Sequence, residues 1–132
     1  MTVFADTSAL YAVLDRDDAN HGTASRLWRE LLQAEDTLVT HNYVLVETSA
    51  LLQHRIGVAA VRSFYEDMVP VFGIEWIDEA RHRMAAGMVL SAGRRKLSLV
   101  DCASFVVMSE LGIEEVFCFD RHFAEQGFRP RT

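Results

Sequence analysis

The sequence predicts an α/β fold of three layers, in which helices cover both faces of a central, mainly parallel sheet. Two observations predict it. Short, almost wholly apolar segments, such as 3–5 and 116–119, have the character of strands that are buried on both faces. Segments with apolar residues at helical spacing lie between them, and helical connections between strands imply right-handed crossovers and therefore parallel neighbours.

The length and composition predict one domain that spans residues 1–132. Half of the 132 residues are hydrophobic, which is enough to form a core. No run of about 18 apolar residues occurs, and residues 1–6 contain no basic leader. We therefore expect a soluble, cytoplasmic protein with no membrane association. Cys102 and Cys118 are single and far apart, which argues against a redox pair or a zinc site.

The chain opens with a predicted strand over residues 3–5. Asp6, Thr7 and Ser8 follow it, and their side chains are good caps for a helix over residues 9–14. An amphipathic helix comes next, with apolar residues at helical spacing at Ala24, Leu27, Trp28, Leu31 and Leu32. This stripe indicates a face that packs on the core.

A second strand is predicted over residues 37–39. Thr40 or Asn42 can cap the long helix that follows, which runs to about residue 55 and is closed by Gly57. A further helix is expected from about residue 58 to 68. Pro70 should stop it, because proline disrupts a continuing helix.

Branched and aromatic residues predict a third strand over residues 71–77. Asp78 then caps a helix whose apolar stripe ends before Gly93. Ser98 opens another helix, apolar from residue 99 to 108 and closed by Gly112. The fourth strand, 116–119, leads directly to Asp120.

Four acidic residues occupy positions where acids are costly. Asp6 and Asp120 follow buried strands, and the carboxyl ends of strands in an open parallel sheet are where ligand crevices form. Glu47 and Asp101 lie near helix starts in otherwise apolar segments, where a lone ionised carboxylate is unfavourable. The topology therefore predicts that all four acids meet at one site.

Each acid except one also has a plain structural interpretation. Ser98 and Asp101 have the spacing of a capping box, and Asp6 and Asp120 can serve as turn or cap residues. Glu47 lies too deep in its helix to cap it, and no cation in its own segment can pair with it. Glu47 is therefore the residue that favours a functional site over separate caps.

Convergent carboxylates repel one another unless a cation lies between them. Oxygen ligands favour Mg²⁺, or Mn²⁺, over zinc. The five histidines show no zinc-type spacing, and we expect each of them to be a surface or capping residue. A divalent ion held by carboxylates can promote phosphodiester hydrolysis.

The net charge of −6 argues against nucleic-acid binding by overall attraction. It does not exclude a nuclease, since bound cations would offset part of the charge. Basic residues crowd the C-terminal half, and those that flank the predicted acids are candidate phosphate contacts, although each could equally be a solvated side chain. These candidates are Arg94, Arg95, Lys96 and Arg121.

Four ordered motifs resemble the PIN-domain family across nearly the whole chain. They are Phe4-Ala5-Asp6-Thr7-Ser8-Ala9-Leu10, Tyr43-Val44-Leu45-Val46-Glu47, Leu97-Ser98-Leu99-Val100-Asp101-Cys102-Ala103-Ser104 and Phe119-Asp120-Arg121-His122-Phe123. Among small single-domain members, the chain looks most like VapC-type toxins of toxin-antitoxin pairs. The resemblance implies a PIN-like fold and a Mg²⁺-dependent endoribonuclease that acts on RNA and is inhibited by a cognate antitoxin.

The resemblance also implies roles for individual residues. Asp6 and Asp101 would be the principal metal ligands, and Glu47 and Asp120 would complete the catalytic set. Thr7 or Ser8 would orient Asp6 or contact phosphate. The apolar surplus and the C-terminal arginines, which we expect to be exposed, further suggest a homodimer.

Other functions on a similar sheet fit less well. A haloacid-dehalogenase-like phosphatase would need an aspartate where Ser8 stands, and a phospho-receiver domain would need an acidic pair and a strand-end lysine. Lys96 is the only lysine and lies in a basic turn. The remaining alternative is a catalytically silent PIN-like module that binds RNA or protein, which the intact set of acids disfavours.

Overall fold

The computed structural model describes residues 1–132 and contains one five-stranded sheet in the order β3-β2-β1-β4-β5. All neighbouring strands are parallel, so the predicted three-layer α/β/α fold is confirmed. The strands are β1 (Thr2–Ala5), β2 (Thr37–His41), β3 (Phe72–Glu75), β4 (Glu115–Phe117) and β5 (Arg129–Pro130).

Helices connect the strands as the crossovers require. They are α1 (Thr7–Leu14), α2 (His21–Gln33), α3 (Asn42–Arg55), α4 (Val58–Ser63), α5 (Glu79–Ala92), α6 (Leu99–Leu111) and α7 (His122–Glu125). A π-helical turn, Phe64–Met68, and a 3₁₀ turn, Val69–Val71, follow α4. No helix is long and apolar enough to cross a membrane.

The core lies around the two central strands. The side chains of Val3, Phe4 and Ala5 in β1 are fully buried, as are Val116 and Phe117 in β4. Neighbouring helices complete a single cluster of 30 buried apolar residues. Because β1 is fully buried from Val3 to its last residue, Asp6 reaches the edge of the sheet while still enclosed.

The residue that caps α3 differs from the prediction. His41 is the cap, and its Nδ1 accepts a hydrogen bond from the amide of Val44 at 3.2 Å. Thr40 is unavailable because its hydroxyl donates to the carbonyl of Ala5 in the adjacent strand. Asn42 is unavailable because its side chain accepts from the amide of Ile77. Both candidate caps are therefore used in contacts between segments that are distant in sequence.

Several strand and helix limits were also predicted wrongly. The strand expected over 71–77 begins only at Phe72, because the 3₁₀ turn that contains Pro70 extends to Val71, and it ends at Glu75. The strand expected over 116–119 ends at Phe117, because the amide of Phe119 donates to the Ser8 hydroxyl at 2.9 Å. The helix expected over 58–68 becomes a π-helical turn after Ser63.

The C-terminal segment forms a helix and a strand that the sequence pattern does not predict. Helix α7 has only four residues and β5 only two, too few to produce a periodic pattern. Arg131, expected to be exposed, is half-buried and pairs with Asp36 and Glu115, in each case at 3.2 Å. The end of the chain is therefore fixed against the edge of the sheet.

Candidate active site

An open cleft of about 330 Å³ lies beyond the carboxyl ends of β1 and β4. We call it the acidic cleft. Its lining consists of Asp6, Thr7, Ser8, Glu47, Leu51, Lys96, Ser98, Asp101 and Asp120. All four acids predicted from the sequence thus line one cleft, together with Thr7, Ser8 and Lys96 from the predicted substrate contacts.

Asp6 is the N-cap of α1 and is almost fully buried. Its Oδ2 accepts hydrogen bonds from the amide of Ser8 at 3.2 Å and from the Ser8 hydroxyl at 2.7 Å. Burial raises the pKa of Asp6 to about 7, the Ser8 bonds oppose that change, and the charges of Asp101 and Glu47 add to it. Asp6 is therefore a fixed carboxylate whose ionised form lacks a counter-charge.

Asp101 lies in the first turn of α6 and forms the predicted capping box. The Ser98 hydroxyl accepts from the amide of Asp101 at 3.0 Å, and Asp101 Oδ2 accepts from the amide of Ser98 at 3.2 Å. Burial raises the pKa of Asp101, the Ser98 amide opposes this, and the charge of Asp120 raises it further. The capping role and the place in the cleft belong to the same carboxylate.

Asp120 follows β4 and forms a turn with His122. Asp120 Oδ1 accepts from the amide of His122 at 2.8 Å. The imidazole Nδ1 of His122 lies 3.2 Å from Asp120 Oδ1 and 3.4 Å from Asp101 Oδ2. One ligand atom from each of these three residues lies within 4.8 Å of the others, so His122 belongs to the cluster.

The expectation that every histidine is a surface or capping residue is wrong for His122. Its side chain is buried, 7% exposed, because the Asp120 turn folds it back against Asp101. The sequence contains a local indication of this position, because a histidine two residues after a strand-end aspartate can contact the carboxylate of that aspartate. His41, by contrast, does serve as a helix cap, although it is fully buried.

Glu47 reaches the cleft from the second turn of α3 and is half-buried. Burial is the main cause of its raised pKa; the Thr7 hydroxyl opposes the change, and Asp101 and Asp120 add to it. Thr7 is itself held by the hydroxyl of Thr48, which donates to Thr7 Oγ1 at 3.3 Å. As the sequence predicts, Glu47 caps nothing.

The charge of the cleft favours a bound cation. Four carboxylates line it, and Lys96 is the one basic side chain in the lining. The pKa values of Asp6, Glu47 and Asp101 are all raised, which means that their ionised forms are unfavourable together. This donor set fits a divalent metal ion, which would offset the repulsion.

The predicted phosphate contacts fall into two groups. Lys96 lines the cleft. Arg94 and Arg121 pair instead with Glu125, at 3.0 and 3.6 Å. Arg95 is exposed and outside the lining. Only one of the four basic candidates therefore lies at the acids in this structure.

Comparison with known proteins gives one consistent family. The PIN domain family model matches residues 3–129. A relative from Mycobacterium tuberculosis, named 23S rRNA-specific endonuclease VapC20, is 35% identical over 127 residues, which cover 96% of this chain and 95% of that protein. A protein from Aquifex aeolicus named VapC ribonuclease is 25% identical over 125 residues, or 94% of this chain and 91% of that protein.

A solved structure agrees with the sequence matches. The crystal structure of Mycobacterium tuberculosis VapC20, described as a sarcin-ricin loop cleaving toxin, superposes with a TM-score of 0.82 at 35% identity. The match covers 96% of this chain and 95% of that one. The similarity therefore extends over the whole fold, including every segment that contributes to the acidic cleft.

Proposed function

Because this chain belongs to the PIN-domain family, we propose that its acidic cleft is the centre that hydrolyses phosphodiester bonds in RNA. The chain is an endoribonuclease of the VapC toxin type, as its relatives are named over nearly its whole length. The proposal assigns that activity to Asp6, Glu47, Asp101 and Asp120. The observation that supports it most is the gathering of four carboxylates around one cleft without an arginine.

The cofactor that we propose is Mg²⁺, with Mn²⁺ as a substitute. Hard oxygen donors suit these ions, and the raised pKa values of Asp6, Glu47 and Asp101 favour a positive charge in the cleft. When bound, such an ion would supply Lewis acidity to the phosphate and lower the pKa of the attacking water. Asp6 and Asp101 are the ligands that we propose first, with Asp120 and Glu47 completing the set directly or through water.

The chain's own residues have distinct parts in this proposal. Ser8 holds Asp6, Ser98 holds Asp101, and His122 bridges Asp101 and Asp120, so three carboxylates keep fixed positions. Glu47 has no such partner besides Thr7 and is free to orient the attacking water or to accept its proton. Lys96, which lines the cleft, would contact the substrate phosphate.

The partners that we propose are an RNA and a small inhibitory protein. Ribosomal RNA is the first substrate to test, because the 35% identical relative is named as specific for 23S rRNA. A cognate antitoxin is inferred from the VapC similarity. Self-association is also proposed, since large apolar side chains remain exposed on α3, on α5 and beside β3: Val46, Trp76, Met84 and Leu90.

RNA cleavage by paired variants tests the proposal. Purified wild-type protein should cleave ribosomal RNA with Mg²⁺ and should stop cleaving when a chelator is added. Asp101→Asn should be inactive, whereas Asp67→Asn, a change at an exposed acid that forms no ion pair, should retain wild-type activity. Equal cleavage by Asp101→Asn and wild type would overturn the assignment of the site.

Expression in a host that lacks the antitoxin provides an independent measurement. The wild-type chain should arrest growth, and Asp101→Asn should not. Harmless expression of folded wild-type protein would contradict the toxin role while leaving the nuclease activity to the cleavage assay.

A further inference from the structure

Most basic side chains of this protein are neutralised by carboxylates, and the exceptions have a pattern. Ion pairs engage Arg26, Arg62, Arg81, Arg83, Arg94, Arg121, Arg129 and Arg131. Those that form no ion pair are Arg16, Arg29, Arg55, Arg95 and Lys96. Lys96 lines the acidic cleft, whereas Arg16 and Arg55 line a different one.

This second cleft, which we call the arginine cleft, has a volume of about 450 Å³. It is lined by Leu14, Asp15, Arg16, Asp17, Arg55 and Ile56. The Arg55 guanidinium carbon lies 5.3 Å from the centroid of the Tyr11 ring, a cation–π arrangement that holds the side chain in place. Arg55 is therefore positioned by the Tyr11 side chain, and it forms no ion pair with a carboxylate.

The two acids in the arginine cleft form no hydrogen bond or ion pair with Arg16 or Arg55. Asp15 accepts hydrogen bonds from the Tyr11 hydroxyl at 2.5 Å and from the amide of Asp17 at 2.9 Å. Neither Asp15 nor Asp17 forms an ion pair with Arg16 or Arg55. The two acids offset the net charge of the cleft, so a ligand here would be held by short-range guanidinium contacts rather than by a strong basic field.

The two clefts lie along the same pair of helices, because α1 packs on α3. Ser8 in the first turn of α1 lines the acidic cleft, and Asp15, the residue that follows α1, lines the arginine cleft seven residues later. On α3, Leu51 lines the acidic cleft and Arg55 lies one turn beyond it. At 1.5 Å per residue, seven residues separate the two clefts by roughly 10 Å, which a short single-stranded segment can span.

We propose that the arginine cleft binds a backbone phosphate of the same RNA strand that is cleaved in the acidic cleft. The inference rests on the proposed function, and it adds a substrate contact besides Lys96. Arg16 and Arg55 are binding residues in this account. A planar guanidinium, fixed on Tyr11, matches the bidentate geometry that phosphate accepts.

The test compares a double arginine variant with a matched control. Arg16→Gln/Arg55→Gln removes both guanidinium groups, and Arg29→Gln removes an exposed unpaired arginine of α2 that lines neither cleft. RNA affinity is measured by fluorescence anisotropy in a Glu47→Gln background with Mg²⁺. We expect the double variant to bind a long single-stranded RNA about tenfold more weakly, and Arg29→Gln to bind it like the parent protein.

Salt and RNA length sharpen the test. The dependence of log affinity on log salt should become shallower by about 0.7 for each phosphate contact removed. With Glu47 restored, the double variant should lose more cleavage of the long RNA than of an RNA trimmed to the scissile step, because the trimmed substrate cannot reach the arginine cleft. Arg55→Lys, which keeps the charge without the planar fork, should bind the long RNA with intermediate affinity.

The outcomes separate the proposals. If wild type cleaves RNA and the double variant binds long RNA no more weakly than Arg29→Gln does, the arginine cleft is not an RNA contact. If the double variant loses only its affinity for the protein inhibitor, the cleft recognises an acidic protein segment, which also overturns the inference. Wild-type protein that does not cleave RNA but binds it through these arginines would refute the proposed function and retain this contact.

Discussion

Two groups of carboxylates lie near the carboxyl edge of this sheet, and they are stabilised in opposite ways. Glu75, which ends β3, and Glu110 both pair with Arg81, at 3.1 and 3.0 Å. Asp6, which follows β1, shares the acidic cleft with three other acids and no arginine. Each group therefore includes a carboxylate at a strand end, and an arginine paired with the acids distinguishes the first group from the second.

The pKa shifts also differ between the two groups of carboxylates. The two glutamates raise the pKa of Arg81, which favours its charged form. In the acidic cleft, burial and mutual repulsion raise the pKa values of Asp6, Glu47 and Asp101. A carboxylate cluster with its own arginine stabilises the fold, whereas one without it needs a cation from solution. The comparison thus separates a structural ion-pair network from a candidate metal site.

Removing one acid from each group should affect activity very differently. Asp6→Asn should reduce RNA cleavage by more than about 100-fold, beyond the loss typical of a residue that only orients a metal ligand. Glu75→Gln should leave cleavage unchanged, because Glu75 serves only the Arg81 network. Initial rates at saturating Mg²⁺ measure both. Loss of activity in Glu75→Gln, with its fold intact, would remove the distinction between the two groups.

The pH dependence of stability should also differ between the groups when metal is chelated. The pKa of Asp6 is raised to about 7 in the folded protein from 3.8. The folded state therefore binds the proton more tightly than the unfolded state does, and stability falls as pH rises from about 4 to about 7. Denaturant unfolding in chelator should show this fall, and Asp6→Asn should reduce it. An unchanged slope in Asp6→Asn would contradict the burial of an uncompensated Asp6.

His122 provides a narrower test of the acidic cleft. Since it bridges Asp101 and Asp120, His122→Asn should weaken Mn²⁺ affinity by about 10- to 100-fold, the range expected when a group that orients metal ligands is lost. His82→Asn, a change beside Tyr43 and outside the cleft, is the control. Electron paramagnetic resonance of bound Mn²⁺ measures the difference, and equal affinities for the two variants would exclude the positioning role.

The smallest effect is expected from the carboxylates that pair with Arg81. Arg81→Gln leaves Glu75 and Glu110 without their counter-ion, but both glutamates are more than one-third exposed, so solvent screens much of the repulsion. We expect the free energy of unfolding to fall by about 1 kcal/mol, with cleavage unaffected. Chemical denaturation measures the change, and a loss of several kcal/mol would show that this network contributes far more than partly exposed ion pairs do.

The location of the four acids could be predicted from the sequence because it follows from local patterns. A parallel sheet brings strand-end residues to one edge, which placed Asp6 and Asp120, and the apolar surroundings of Glu47 and Asp101 distinguished them from surface acids. The capping interpretations of Asp6 and Asp101 are also correct. A residue can cap a helix and line the cleft at the same time, because a cap at a strand-to-helix turn already lies at the sheet edge.

The sequence was insufficient where a partner comes from a distant segment. Arg94 and Arg121 were predicted as phosphate contacts, but both meet Glu125, which belongs to a short helix that has no periodic signal. His41 caps α3 because the side chains of Thr40 and Asn42 bond elsewhere. The arginine cleft depends on the packing of α1 on α3, so nothing in the order of residues pairs Arg16 with Arg55.

Calorimetric titration of the metal-free protein with Mn²⁺ tests the account of the acidic cleft most directly. Wild type and Glu75→Gln should bind the ion with the same affinity, and Asp101→Asn should show no binding over the same concentration range. Folded wild-type protein that gives no binding heat, or Asp101→Asn that binds as tightly as wild type, would contradict the assignment of these carboxylates as a metal site.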